Sequence, residues 1–402
     1  VSLRLQTHGS TLPHFSHVVI GRVATQPREP RGDHVLIVRG LSELSELSGY
    51  AAILTLEGLN AEQQQALEDA GIPAAFAVKD LDHLEDGDVV ALHPGGYVRT
   101  LYRIRSKHNA LFATDRCNSF CLMCSQPPRE TDDRDRIHEH LRLLELMDPA
   151  TTDLGITGGE PSLLKGDLIR LVERCKELLP ATSLHILSNG RLFYYGSLAR
   201  RLGLIEHPDL MMGVPLYSDL DFEHDYVVQA AGAFDETMVG LQNLARFGVP
   251  VEIRVVIHRL TYERLLELAE FIYRNLPFAA HVALMGLEMM GFAVPNREEL
   301  WIDPFEYREE LRASTRFLAS RGMRVSIYNH QLCVVPPDAW RFCRQSISDW
   351  KNDYLPQCDD CSVRESCGGF FSSSLRHGFS RHIVPVRSTC DGSAAPGLAP
   401  SG

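Results

Sequence analysis

Two stretches decide the fold: ALFATDRCNSFCLMC (110–124) and DLGITGGEP (153–161). Each is a short apolar run that breaks into a loop of unusual composition, three cysteines within eight residues in the first and Gly-Gly-Glu-Pro in the second. Short apolar runs bounded by such loops predict strands. Working outward, further strands are expected at 183–188, 209–217, 251–258, 281–288 and 324–329. Helical periodicity falls between them at 134–147, 166–179, 194–203, 233–247, 261–275 and 304–321, the last signed by Asp303 as N-cap, Pro304 and Glu306. Strands that alternate with helices predict a parallel sheet curled into a partial (βα)6 barrel, because each parallel crossover needs a covering helix.

In such folds the active site is built from loops at the carboxyl ends of the strands. Cys117–Cys124, Gly158–Pro161, Asn189-Gly190, Tyr217-Ser218-Asp219 and Glu288 all fall there. Thiolates in one irregular loop can converge on a metal, and three around an iron–sulfur cube leave one iron open to substrate. A tetrahedral zinc site would need a fourth ligand, and His138 and His140 are the nearby candidates.

The chain has 402 residues, 44% hydrophobic and 23% charged, which predicts a globular protein of two or three domains. Forty basic against 52 acidic residues leave a net charge of −12, the wrong sign for gripping nucleic acid through phosphates. No apolar run approaches the length of a membrane span and no signal-like start is seen, so no membrane partner and a cytoplasmic location are expected. Ten cysteines, none before Cys117, form clusters rather than a disulfide scaffold. Residues 1–105 read as a small α/β domain in which Asn60 caps and Gly71 ends a helix. Its closing stretch resembles the swivelling phosphohistidine domain at the level of fold, without that family's phosphorylatable histidine motif. Residues 106–325 are the expected barrel, 326–392 a cysteine-rich extension and 393–402 a disordered tail.

The cysteine spacing CxxxCxxC after the first barrel strand, with Thr157-Gly-Gly-Glu-Pro161 after the second, resembles the radical S-adenosylmethionine (radical SAM) enzymes. That resemblance implies a 4Fe-4S cluster on Cys117, Cys121 and Cys124 with an open iron site that binds SAM, and cleavage of SAM to a 5′-deoxyadenosyl radical. It implies that Gly158, Gly159, Glu160 and Pro161 hold the methionyl ammonium. It makes Ser188 and Asn189 candidates for ribose or carboxylate, an Asx-type turn being the alternative. Arg254, charged within an apolar strand, is a candidate carboxylate partner. Met123 stands where the family often has an aromatic residue against the adenine.

Cys358, Cys361 and Cys367 in CxxCx5C spacing resemble the SPASM or twitch extensions of peptide-modifying members, implying one auxiliary iron–sulfur cluster with Cys333 as fourth ligand. A structural zinc knuckle is the alternative. The strings CNSFCLMCSQPP, YNHQLC, SISDWKNDYLPQCDDC and CGGFF are similar to the HxsC type of His-Xaa-Ser system radical SAM maturase. That likeness implies a small ribosomally made peptide substrate with His-Xaa-Ser repeats, a second radical SAM maturase as partner and an external electron donor. Asp219, Asp221, His224 and Asp225 could bind such a peptide or be a solvated loop. The competing functions are a radical SAM enzyme on a small molecule and a non-catalytic zinc or iron–sulfur docking scaffold.

Overall fold

The structure is a computed structural model that describes residues 5–27, 29, 32–38, 47–346 and 352–387. Cys390, part of the SISDWK string and the expected tail at 393–402 lie outside the described residues. The strands are β1 (Gln6–His8), β2 (Ser10–Thr11), β3 (Val19–Ala24), β4 (His34–Val38), β5 (Ala52–Thr55), β6 (Ala74–Phe76), β7 (Val89–Leu92), β8 (Tyr97–Tyr102), β9 (Asn109–Phe112), β10 (Asp153–Thr157), β11 (Ser183–Leu187), β12 (Leu210–Pro215), β13 (Val251–Ile257), β14 (His281–Gly286) and β15 (Val325–Tyr328). The helices are α1 (Ala61–Asp69), α2 (Arg136–Leu146), α3 (Gly166–Leu178), α4 (Gly196–Gly203), α5 (Asp221–Val228), α6 (Ala233–Arg246), α7 (Leu265–Asn275), α8 (Arg297–Leu300), α9 (Arg308–Ser320) and α10 (Ser372–His377).

Two compact units divide the chain. The first holds Val1–Leu111, Asp133–Leu154 and Glu173–Thr182; the second holds Phe112–Asp132, Gly155–Val172 and Ser183–Gly402. The first contains a mixed sheet of order β1-β8-β7-β3-β4-β5-β6-β2, in which β3, β4, β5 and β6 run parallel. β4 and β5 are apolar along nearly their whole length because each face of the sheet has its own core. Val35, Ile37, Ala52 and Leu54 join one cluster, and Leu36, Ile53, Ala74 and Leu67 the other. Asn60 closes a capping box with Gln63 at the start of α1, and Gly71 follows its end at φ +65°, as the sequence predicts.

The remaining strands form one sheet in strictly consecutive order from β9 to β15, and β11 through β15 pair parallel. This is the mixed α/β architecture with a parallel, partial-barrel sheet. Ile253, Val255, Val282, Leu284 and Ile327 are buried, each stabilising the fold by about 1.5–3 kcal/mol. Alternate positions such as Glu252 and Arg254 take the other face.

One expected start is displaced. Helix α9 begins at Arg308, and Asp303 does not cap it: its carboxylate accepts from the backbone N–H of Phe305 (3.0 Å) and of Arg381 (3.2 Å). These two bonds spend the carboxylate on a turn one step earlier. Among the described residues no helix is long and apolar enough to cross a membrane.

Candidate active site

Strand β9 ends at Phe112 and releases the cysteine loop, which is pinned along its length. Gly159 N–H donates to Thr114 O at 2.7 Å and Glu160 N–H to Arg116 O at 2.8 Å. On the other side Phe120 N–H reaches Val228 O and Leu122 N–H reaches Val227 O, both at the end of α5. Phe292 N–H donates to Cys124 O, and the Asn296 amide donates to Leu122 O, each at 2.9 Å.

The two glycines serve this packing. Gly158 sits at φ +146°, and a Cβ there would lie 2.5 Å from Thr114 O; a Cβ on Gly159 would collide with the Arg116 carbonyl. The sequence assigns them to close approach of a bound cation. In the structure their missing side chains let backbone 114–116 lie against the Gly-Gly-Glu turn. Pro161 opens the short 3-10 helix Pro161–Leu164 and is buried.

Glu160, expected to meet an ammonium, is engaged within the protein by three donors. The residue is 0% exposed, and both oxygens accept hydrogen bonds: Oε1 from Ser162 N–H (2.8 Å) and Ser188 Oγ–H (2.7 Å), Oε2 from Asn189 N–H (2.6 Å). Burial pushes its carboxyl up, against the lowering effect of those donors. Glu160 therefore ties the loop after β10 to the turn after β11. Ser188 and Asn189 are held in place on both sides: Ser188 Oγ accepts from Gly190 N–H, while the Asn189 amide donates to Asn118 Oδ1 at 2.6 Å and lies 3.9 Å from Cys117 Sγ.

Sequence reasoning missed Arg191. Its guanidinium donates to Asn118 O and to Ser119 Oγ (3.0 Å), and it pairs with Glu236 at 2.6 Å. A cation two residues beyond Asn189, at a strand's carboxyl end, was the available signal.

The three thiols are free and in electrostatic reach of one another. Burial first, then Glu160, raises Cys117 to about 11; burial, then Cys124 and Cys117, raises Cys121 to about 12; burial raises Cys124. Among the described residues no three His, Cys, Asp or Glu groups are drawn close enough to hold a single metal ion. Three soft sulfur donors on one braced loop, with a guanidinium and an amide beside them, suit an iron–sulfur cluster, whose loading must displace their protons.

Met123 is buried in an apolar cluster with Tyr217, Val227 and Met289. Arg254 pairs with Glu252 at 2.6 Å, a partner missed although residues i and i+2 of a strand share a face. His258, just past β13, is fully buried, and neither ring nitrogen has a hydrogen-bond partner. The acidic stretch after β12 is mostly committed internally: Asp219 pairs with Arg264 at 2.5 Å, Glu223 accepts from Ser218, His224 is buried, and Asp225 caps the start of α6.

In the C-terminal region Leu332 N–H points at Cys367 Sγ (3.4 Å). Burial raises Cys333 to about 11, with Cys367 and Cys358 adding to it, and Cys361 and Cys358 act on Cys367 in the same way. Cys367 thus lies in electrostatic reach of Cys333, Cys358 and Cys361, and Cys333 in reach of Cys358. Buried Cys343 lies within reach of Cys367, and Cys175 is a buried thiol on α3.

With this geometry in view, comparison with known proteins shows that residues 111–272 match the Radical SAM superfamily. These residues form a radical SAM domain. Members of the superfamily use a 4Fe-4S cluster and SAM. The crystal structure of Streptococcus suis SuiB bound to S-adenosylmethionine superposes with a TM-score of 0.50 at 14% identity, covering 70% of this chain and 76% of that one. Another SuiB crystal structure gives a TM-score of 0.43 at 17% identity, with 55% and 49% covered, so the chain spans about half of that protein's length. Native anSMEcpe with bound AdoMet and the Cp18Cys peptide gives 0.49 at 14% identity, with 69% and 91% covered. No curated protein matches the chain.

Proposed function

We propose that this radical SAM domain cleaves SAM reductively and that the resulting 5′-deoxyadenosyl radical modifies a ribosomally made peptide with His-Xaa-Ser repeats. The observation that carries the reading is the locking of the three-cysteine loop onto the Gly-Gly-Glu turn by Thr114 O and Arg116 O. When bound, the cluster would supply the electron that splits the sulfonium. The chain's own residues brace the start of the cysteine loop at 117–119 through Asn189 and Arg191, hold the site's turns together through Glu160, and exclude water with Met123, Tyr217 and Met289. The peptide class rests on the sequence resemblance, supported by SuiB, which has been crystallised bound to the precursor peptide SuiA. Phe120, in the cysteine loop itself, is 53% exposed and offers an apolar contact at the rim. Cys333, Cys358, Cys361 and Cys367 would hold one auxiliary cluster; a second maturase and an external electron donor complete the reading.

Anaerobic reconstitution followed by co-expression with the repeat peptide tests it. Expected are about four to eight irons per chain, release of 5′-deoxyadenosine, and a peptide mass change lost in Cys117→Ala, Cys121→Ala or Cys124→Ala. Colourless, zinc-loaded protein would leave only a docking scaffold. SAM cleavage with the peptide unchanged would point to a small molecule.

A further inference from the structure

One face of the parallel sheet carries a chain of polar side chains. Register places Glu252 of β13 beside His281 of β14, and Ala283, two residues on, beside Ser326 of β15. Glu252 Oε2 lies 2.7 Å from His281 Nδ1, and His281 Nε2 lies 3.0 Å from Ser326 Oγ. Tyr328, next along the same face, sets its ring edge-on to His281, 6.4 Å between centroids. On the other side Glu252 Oε1 accepts from Arg254 at 2.6 Å and faces His185 Nε2 of β11 at 3.6 Å. Gly213 of β12 leaves the room for this: a Cβ there would stand 2.8 Å from His185 Nε2 and 3.0 Å from Arg254 Cδ.

The protons in this chain are ordered by chemistry. Burial alone would raise the Glu252 carboxyl, but the His281 hydrogen bond and the charges of Arg254, His185 and His281 outweigh it and bring it to about 2. An ionised carboxylate only accepts, so His281 Nδ1 carries a proton; a relay requires Nε2 to be the accepting nitrogen, facing the Ser326 hydroxyl. Base, orienting carboxylate and hydroxyl stand in the relation that activates a hydroxyl for proton transfer. For stability alone, apolar side chains of similar volume would serve as well as these buried charges.

We propose that Tyr328, Ser326, His281 and Glu252 form a proton relay that accepts a proton from the substrate when its new bond is made, an inference whose use rests on the function proposed above. In that step an O–H, N–H or S–H bond of the substrate breaks and its electron pair stays on the heteroatom. The proton passes to the Tyr328 hydroxyl, each hydroxyl hands on its own proton, and an N–H bond forms at His281 Nε2. Glu252 stays ionised and balances the imidazolium, and no electron changes hands in this transfer. His281 is faced by Glu252 and Arg254 from β13 and by Ser326 and Tyr328 from β15, with His185 of β11 reaching it through Glu252.

Histidine-selective 15N spectra of the full chain before reconstitution test the proton order. His281 is expected as the Nδ1–H tautomer, changing in Glu252→Gln; an Nε2–H tautomer in the wild type overturns the relay. The reconstituted enzyme, given SAM, dithionite and a His-Xaa-Ser repeat peptide, tests its use. Modified peptide per 5′-deoxyadenosine should fall about a hundredfold in His281→Asn and Ser326→Ala and recover in Ser326→Thr. A parallel fall of both products, or no recovery with threonine, means a structural network and overturns the proposal. If the wild type cleaves SAM but leaves the peptide unmodified, the substrate assignment fails, and the tautomer spectrum alone decides the relay.

Discussion

Glu160 accepts three hydrogen bonds from two loops while wholly buried, so it contributes to the geometry of the site. Glu160→Gln turns one acceptor oxygen into a donor that faces another donor. Urea unfolding should show a loss of about 2–4 kcal/mol; unchanged stability with weakened SAM binding would restore Glu160 to direct ligand contact. Arg191→Ala removes the donors to Asn118 and Ser119. It should cost about 2 kcal/mol and lower the iron retained after reconstitution, measured by iron per chain; full iron retention would separate the clamp from cluster holding. The sequence makes the Gly-Gly-Glu turn legible as part of the site. It does not show which way the carboxylate faces, because that depends on where Ser188 and Asn189 come to rest.

At the scale of elements, hydrophobic periodicity locates β10 to its exact ends and places β11 to β15 within a few residues. Ends that depend on side chains from elsewhere are less legible, as Asp303 shows by serving Phe305 and Arg381 in place of α9. Asp225 makes the same point: a residue that looks free to bind peptide accepts from Gly232 N–H (2.5 Å) and Phe234 N–H (2.8 Å) at the start of α6. Asp225→Ala should lower stability by about 1 kcal/mol in chemical denaturation without changing 5′-deoxyadenosine release. A selective loss of peptide modification would instead return Asp225 to substrate binding.

For the molecule as a whole, three buried histidines of the second unit set its response to acid. Burial lowers His224, His258 and His330 to about 4, in His330 against a raising hydrogen bond to Tyr328 O. Below the ordinary histidine value the unfolded chain binds more protons than the native one, so stability is complete above about pH 6.5 and falls as pH drops toward 4. Each histidine removes about 3 kcal/mol by pH 4, and the three together approach the whole stability of an ordinary domain, about 5–15 kcal/mol. Urea midpoints between pH 7 and 4 should fall accordingly, and His258→Phe should flatten the fall; a flat wild-type profile would contradict it. The amino-acid order alone determined the alternation of strands and helices, the parallel sheet and the loop that carries the three cysteines, because apolar periodicity and turn chemistry are local. Tertiary structure decided that Glu160 ties two loops together, that Arg191 clamps the loop, and that Glu252, His281 and Ser326 meet. Those contacts join strands and loops far apart in the chain, and only strand register and burial bring them within hydrogen-bond distance.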